Sequence, residues 1–288
     1  MADELAGLLQ TRTDVRVLDV RWKLGGPPGP DEFRAGHIPG AVYVDLETEL
    51  AGPGEPADGR HPLPTRAALQ AAARRWGLHD GDTVVVYDDL GGMSAARAWW
   101  LLRHAGMRDV LLLDGALAAW RTAGLPLATG EGSPETVPAG TVTFSDGVLP
   151  VLDTDAAAAL AQTGALLDAR AAERYRGETE PIDPRAGHIP GAISAPTAGN
   201  LTPDGRFRPA AELRARFEAL GVTEGAADGA EDGAAGRGVG VYCGSGVTAA
   251  HAAVALTIAG FAPALYPGSW SQWANLPGRP VETGDPRA

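Results

Sequence analysis

The sequence predicts an α/β protein made of two tandem copies of one domain, each a mainly parallel sheet with helices on both faces. Three observations point there. The chain repeats itself once, and each half alternates short apolar runs with helical stretches. Its 288 residues also suit two domains of about 140 better than a single core.

The repeat runs through four segments in the same order. Val17-Leu18-Asp19-Val20-Arg21 is followed by Phe33-Arg34-Ala35-Gly36-His37-Ile38-Pro39-Gly40. In the second half Leu167-Asp168-Ala169-Arg170 precedes Tyr175-Arg176 and then Arg185-Ala186-Gly187-His188-Ile189-Pro190-Gly191. Val84-Val85-Val86-Tyr87-Asp88 corresponds to Val239-Gly240-Val241-Tyr242-Cys243, and Asp114-Gly115-Ala116 through Trp120 to Pro267-Gly268-Ser269 through Trp273. An offset of roughly 150 residues indicates a duplicated domain, since solenoid repeats have periods of about 20–50.

Apolar runs at 15–20, 83–87 and 109–113 read as buried strands, and 65–77 and 93–105 as helices. The second half echoes them with strands at 165–169, 238–242 and 263–266 and helices at 210–220 and 247–259. Such alternation implies parallel strands joined by helices, with ligands at the strands' carboxyl ends. The Gly- and Pro-bearing stretch 129–148 is expected to link a domain at 1–128 to one at 149–288. The low-complexity run 225–236 reads as a surface loop.

Composition narrows the function. A net charge of −12 opposes nonspecific attraction to nucleic acid. Lys23 is the single lysine, so an anionic substrate must be met by local arginines, whose planar fork suits carboxylates. No stretch approaches the roughly 18–20 apolar residues of a membrane span, and the amino terminus lacks the pattern of a secretory signal. One cysteine excludes an intramolecular disulfide and fits a reducing compartment, so a cytoplasmic protein is expected. The six histidines and one cysteine show no metal-ligand spacing, and neither metal nor cofactor is expected.

That cysteine, Cys243, ends a β-prone run and opens Gly244-Ser245-Gly246-Val247-Thr248-Ala249, where an alanine-rich helix begins. The order places a thiol at a helix N-terminus, where backbone N–H groups and the helix dipole favour an anion. A buried apolar cysteine is the alternative reading. The equivalent position of the first half carries Asp88, which cannot be a sulfur nucleophile, so one active site per chain is expected. Asp88 is read as a cap of the following helix. His37 and His188 lie in equivalent turns of both halves, one without the nucleophile, and are read as turn-stabilising.

The paired Gly-His-Ile-Pro-Gly turns, the Asp-Val-Arg and Asp-Ala-Arg strand ends and the Cys-Gly-Ser-Gly-Val-Thr loop resemble a tandem-domain rhodanese, over nearly the whole chain. Within that family the loop looks like that of the sulfurtransferases acting on 3-mercaptopyruvate. The resemblance implies attack of the Cys243 thiolate on a donor sulfur, a persulfide cradled by N–H groups of Gly244, Gly246, Val247 and Thr248, and transfer to a thiol or cyanide. The acceptor thiol would be thioredoxin or a low-molecular-weight thiol, with no nucleic acid or membrane partner. Relatives that prefer thiosulfate carry basic residues after the cysteine, whereas Gly244 and Ser245 are uncharged. The resemblance further implies that Arg174 and Arg185 hold the donor carboxylate. It also implies that Ser245, His61 and Glu47 relay a proton to the departing enolate, which places a contribution from the first half in the site.

A phosphatase needs Cys-x5-Arg, and Ala249 stands six residues after Cys243. A non-catalytic sulfur carrier fits the intact loop poorly. Thiosulfate sulfurtransferase remains the competing activity.

Overall fold

The computed structural model describes residues 1–132, 138–223 and 238–285. The chain forms two compact units: Met1–Gly52 with Leu63–Leu149 and Pro203–Phe207, and Pro53–Pro62 with Pro150–Thr202 and Arg208–Ala288. The division is not linear. A short segment of the first half, Pro53–Pro62, belongs to the second unit, and Pro203–Phe207 belongs to the first.

The first sheet contains β1 (Val15–Asp19), β2 (Val42–Tyr43), β3 (Thr83–Tyr87) and β4 (Val110–Leu112), in the order β2-β1-β3-β4. The second repeats it with β5 (Ala165–Asp168), β6 (Ile193–Ser194), β7 (Val239–Tyr242) and β8 (Pro263–Leu265), in the order β6-β5-β7-β8. Every pairing of these strands is parallel, with Val15 opposite Thr83 and Ala165 opposite Val239. The order reverses between β5 and β7, and in open parallel sheets that switch point is where ligands sit.

Local chemistry explains the elements. All five residues of β3 and all four of β7 are buried, as their unbroken apolar runs require. In β7, Gly240 lets the helix Thr154–Thr163 come close. A Cβ there would meet Leu160 Cδ2 at 2.6 Å and Leu152 Cδ1 at 2.7 Å. The helix Val247–Ile258 is buried over most of its circumference, and alanine at five of its positions permits tight packing beside β7 and β8. Asp153 starts the helix Thr154–Thr163 by accepting the Ala156 N–H at 2.8 Å.

Each Asp-x-Arg strand end is a buried ion pair. Arg21 pairs with Asp19 and donates to the Gly36 carbonyl at 2.9 Å, while Arg170 pairs with Asp168 and donates to the Gly187 carbonyl at 2.7 Å. Each arginine thereby ties a strand end to a Gly-His-Ile-Pro-Gly turn. The turn histidines stack on aromatic rings, His37 on Phe33 at 3.8 Å and His188 on Tyr175 at 3.7 Å. Their Nδ1 atoms bond the carbonyls of the same residues, Phe33 and Tyr175.

The strands and helices expected from the patterns lie where they were placed. The two-residue strands β2 and β6, and the helices Ala2–Thr11 and Thr154–Thr163, were not foreseen. In the stretch expected to be a linker, Gly140 and Val142 donate to the Arg74 and Leu78 carbonyls, so this part packs along the first unit. The loop expected at 225–236 lies outside the described residues. Among the described residues no helix is long and apolar enough to cross a membrane.

Candidate active site

Cys243 follows β7 at its carboxyl end, and Gly246 turns the chain into the helix Val247–Ile258. Gly246 takes φ +80° and ψ 1°, a left-handed conformation that glycine adopts without penalty. Its N–H donates to Cys243 Sγ at 3.2 Å. Val247 and Thr248 open the helix, so their N–H groups have no acceptor within it. The sulfur therefore lies at the positive end of a twelve-residue helix, and the residue is only 2% exposed.

A second loop holds this one in place. The Cys243 N–H donates to Ser269 Oγ at 3.1 Å, and the Cys243 and Gly244 carbonyls accept from the Trp270 and Ser271 N–H groups, both at 2.9 Å. Ser269 is fully buried at φ +55°, costly for a residue with a Cβ, and its hydroxyl donates to the Tyr266 carbonyl at 2.9 Å.

The same loop carries the segment that delivers His61. Gly59 has φ +89°, and a Cβ there would meet the Gly268 carbonyl at 2.8 Å. The Arg60 N–H donates to Ser271 Oγ at 3.1 Å. His61 then reaches Ser245, with His61 Nδ1 and Ser245 Oγ 2.8 Å apart and each residue 7% exposed. A buried serine two residues from the sulfur thus shares a proton with an imidazole. Glu47 belongs to the first unit, where its exposed carboxylate accepts from the Trp22 indole at 3.1 Å.

Arg174 lies beside the loop. Its Nη2 donates to Glu180 Oε1 at 2.6 Å and approaches Asp183 Oδ2 at 3.5 Å. Arg185, expected as the other arm of a carboxylate clamp, is turned elsewhere. Its guanidinium donates to the carbonyls of Ala274 (2.9 Å), Arg279 (2.7 Å), Trp273 (2.6 Å) and Leu276 (3.2 Å). Those bonds occupy most of its five N–H donors and fasten the C-terminus of the helix Ser269–Asn275.

The "Rhodanese-like domain" profile matches residues 1–123 and 153–276. The chain belongs to the rhodanese family. A Pseudomonas aeruginosa relative bearing the name of a 3-mercaptopyruvate sulfurtransferase is 48% identical over 292 residues, covering 99% of this chain and 97% of its own. A Mycobacterium tuberculosis relative, SseB, bears the name of a thiosulfate sulfurtransferase and is 46% identical over 286 residues, covering 98% and 96%. The crystal structure of the 3-mercaptopyruvate sulfurtransferase SseA from Escherichia coli superimposes with a TM-score of 0.79 at 32% identity, over 93% of this chain and 97% of that one.

The first rhodanese domain shows what its loop does without a thiol. The Asp88 carboxylate accepts the N–H groups of Leu90, Gly92 and Ser94 at 2.8 Å and of Ala95 at 3.0 Å. It caps the following helix through Ser94 and Ala95 and also ties down the loop through Leu90 and Gly92. Burial pushes its pKa up against the pull of those four donors.

Sequence reasoning missed Ser269, Arg60 and Asp183. Ser269 had one visible signal, since the repeat sets Ala116 opposite it and a hydroxyl appears only in the half with the cysteine. Arg60 adjoins His61, but the reach of its guanidinium toward the cysteine loop has no sequence signature.

Proposed function

We propose that this sulfurtransferase takes sulfur from 3-mercaptopyruvate and passes it, as a Cys243 persulfide, to a thiol or cyanide, releasing pyruvate. The observation that carries the proposal is the buried hydrogen bond between Ser245 and His61, two residues from the sulfur. Attack of the thiolate on the donor's sulfur forms an S–S bond and breaks the C–S bond, whose electron pair goes to carbon as the enolate of pyruvate. That carbon must take a proton, and the donor's own thiol releases one. Ser245 and His61 carry it, since a serine alone is a poor acid. Glu47 is assigned the third place in the relay on the family resemblance alone. The persulfide's outer sulfur takes the N–H groups from Gly244 to Thr248, and Arg174 takes the donor carboxylate.

Arg185 acts through the helix it fastens, which begins at Ser269 beside the nucleophile loop. The names of the relatives divide between two donors, and local charge supports the keto acid. Arg174 is matched by buried carboxylates, which leaves little attraction for the second charge of thiosulfate. A lone cysteine and a soluble sulfur donor fit a cytoplasmic enzyme using thioredoxin or a small thiol as acceptor.

The test is steady-state turnover with mercaptopyruvate and with thiosulfate, cyanide as acceptor, beside Cys243→Ser. Mercaptopyruvate should be clearly preferred, with parallel initial-rate lines of a ping-pong scheme, and the serine variant should be inactive with both donors. Comparable thiosulfate turnover would overturn the donor assignment. Activity without the thiol would overturn the persulfide.

A further inference from the structure

Two guanidinium groups converge beside the nucleophile. A Cβ built on Gly244 would lie 3.2 Å from Nη2 of Arg60 and 3.5 Å from Nη1 of Arg174. Both cations therefore face one spot above the residue that follows Cys243. Asp183 sets their spacing, because one of its oxygens accepts from Arg60 Nη1 and the other lies 3.5 Å from Arg174 Nη2. Glu180 holds Arg174 from the same side.

The burial of the four groups is asymmetric. The Asp183 and Glu180 side chains are each 3% exposed, whereas those of Arg60 and Arg174 are 27% and 19% exposed. The carboxylates thus back the arginines and leave the cations on the open side. Arg60 is fixed before any ligand arrives, by its N–H bond to Ser271 and by the close fit of Gly59 against Gly268. Its buried Nε has no hydrogen-bond partner among the described residues. Arg185, by contrast, has committed most of its donors to carbonyls.

We infer that Arg60 is a donor-binding residue, forming with Arg174 a two-armed seat over Gly244 for the single carboxylate of a thiol keto acid. Asp183 keeps the two arms in register. Counted with the buried Arg170–Asp168 pair, whose arginine also meets Glu180 at 3.3 Å, three arginines against three carboxylates leave this cluster with no net charge before the donor binds. A monoanion then adds one charge to the seat, and a dianion adds two. One segment, Gly59–His61, supplies both the arm that orients the donor and the imidazole that serves its leaving carbon. The naming of the donor rests on the function proposed above; the anion seat does not.

The experiment is built to separate the two. Arg60→Ala and Arg60→Lys are compared with wild type in two measurements. The first is kcat and KM for mercaptopyruvate with cyanide. The second is the rate of Cys243 alkylation by iodoacetate relative to neutral iodoacetamide, a ratio that reports a cation near the sulfur whatever the natural donor is. Arg60→Ala should raise KM about tenfold or more with a smaller change in kcat, as loss of a charge-assisted hydrogen bond predicts, and should lower the alkylation ratio. Arg60→Lys should keep the ratio but not the KM, because an ammonium lacks the planar fork.

An unchanged alkylation ratio and an unchanged KM in Arg60→Ala would overturn the seat. Wild-type KM in Arg60→Lys would overturn the role of the fork. If the ratio falls in Arg60→Ala while wild type prefers thiosulfate, the seat stands and the donor assignment fails.

Discussion

Ser269 offers a direct test of how Cys243, the proposed nucleophile, is held. Replacing it with alanine removes one hydroxyl that accepts from the Cys243 N–H and donates to the Tyr266 carbonyl. Both groups belong to residues that are nearly fully buried, so water does not readily replace the lost partner. An unsatisfied buried polar group costs about 1–3 kcal/mol, and two, partly relaxed, come to about 2–4 kcal/mol. At roughly 2–4 °C per kcal/mol the melting temperature should fall by several degrees. The backbone itself tolerates alanine, since Ala116 takes φ +54° at the equivalent place in the first domain. Ser269→Ala should therefore fold, and its loop should be less well placed. Misplacement of a reacting atom by an ångström can cost about a hundredfold, so kcat for sulfur transfer should drop at least tenfold. Ser269→Gly separates strain from hydrogen bonding. It removes about 1–2 kcal/mol of left-handed strain, adds about 0.5–1 kcal/mol of backbone entropy cost, and lacks the hydroxyl. It should melt near the alanine variant, or slightly above it, and share its low kcat. Thermal denaturation and initial rates on both variants check this. Wild-type kcat in Ser269→Ala, or its recovery in Ser269→Gly, would refute the anchoring argument.

Three further predictions bear on the relay and on the loop without a thiol. Ser245→Ala should lower kcat with mercaptopyruvate by about a hundredfold, the scale of a lost proton-transfer group, and lower it much less with thiosulfate, because sulfite leaves without a carbon that needs a proton. Glu47→Gln should show the same asymmetry more weakly, and equal losses on both donors would count against the relay. Asp88→Ala strips the acceptor from four N–H groups, three of them buried, and should destabilise the first unit by about 3 kcal/mol in denaturant unfolding, with kcat of the folded enzyme unchanged. Wild-type stability in that variant would remove the structural role of the carboxylate.

The legible parts of the sequence were those that depend on neighbours along the chain. β3 and β7 announce themselves because both faces of a central parallel strand are buried, so their apolar runs are continuous. β2 and β6 are two residues long and leave no period to detect. The loop from Cys243 to Thr248 was readable because nucleophile, glycines and helix start are contiguous. Arg60 and Ser269 were not, since their roles exist only once Gly59 closes against Gly268 and Ser269 reaches the Cys243 N–H. Arg185 adjoins the second Gly-His-Ile-Pro-Gly turn, and its bonds to the end of a helix some ninety residues later in the chain likewise have no local signature. Even the halves of the repeat are not the units of the fold, because Pro53–Pro62 joins the second unit and brings His61 with it.

The two copies of the domain differ in where the anion of the loop comes from. Both loops follow the central strand of a four-stranded sheet and lead into a helix, so both present N–H groups to a negative charge. In the first copy the chain supplies the charge itself. Asp88 reaches the N–H groups as far as Ala95 through two oxygens and takes four of them. In the second copy the helix begins sooner, at Val247, and Cys243 Sγ takes the Gly246 N–H at 3.2 Å. The Val247 and Thr248 N–H groups, lacking helical acceptors, suit a further atom bonded to that sulfur. A carboxylate in the loop makes a closed structural plug, whereas a thiol leaves N–H groups for the outer sulfur of the proposed persulfide. Aspartate at 243 would therefore abolish turnover through chemistry and through space at once, whereas cysteine at 88 would still face the longer loop shaped around a carboxylate. A thiol introduced there is not expected to acquire sulfur transfer.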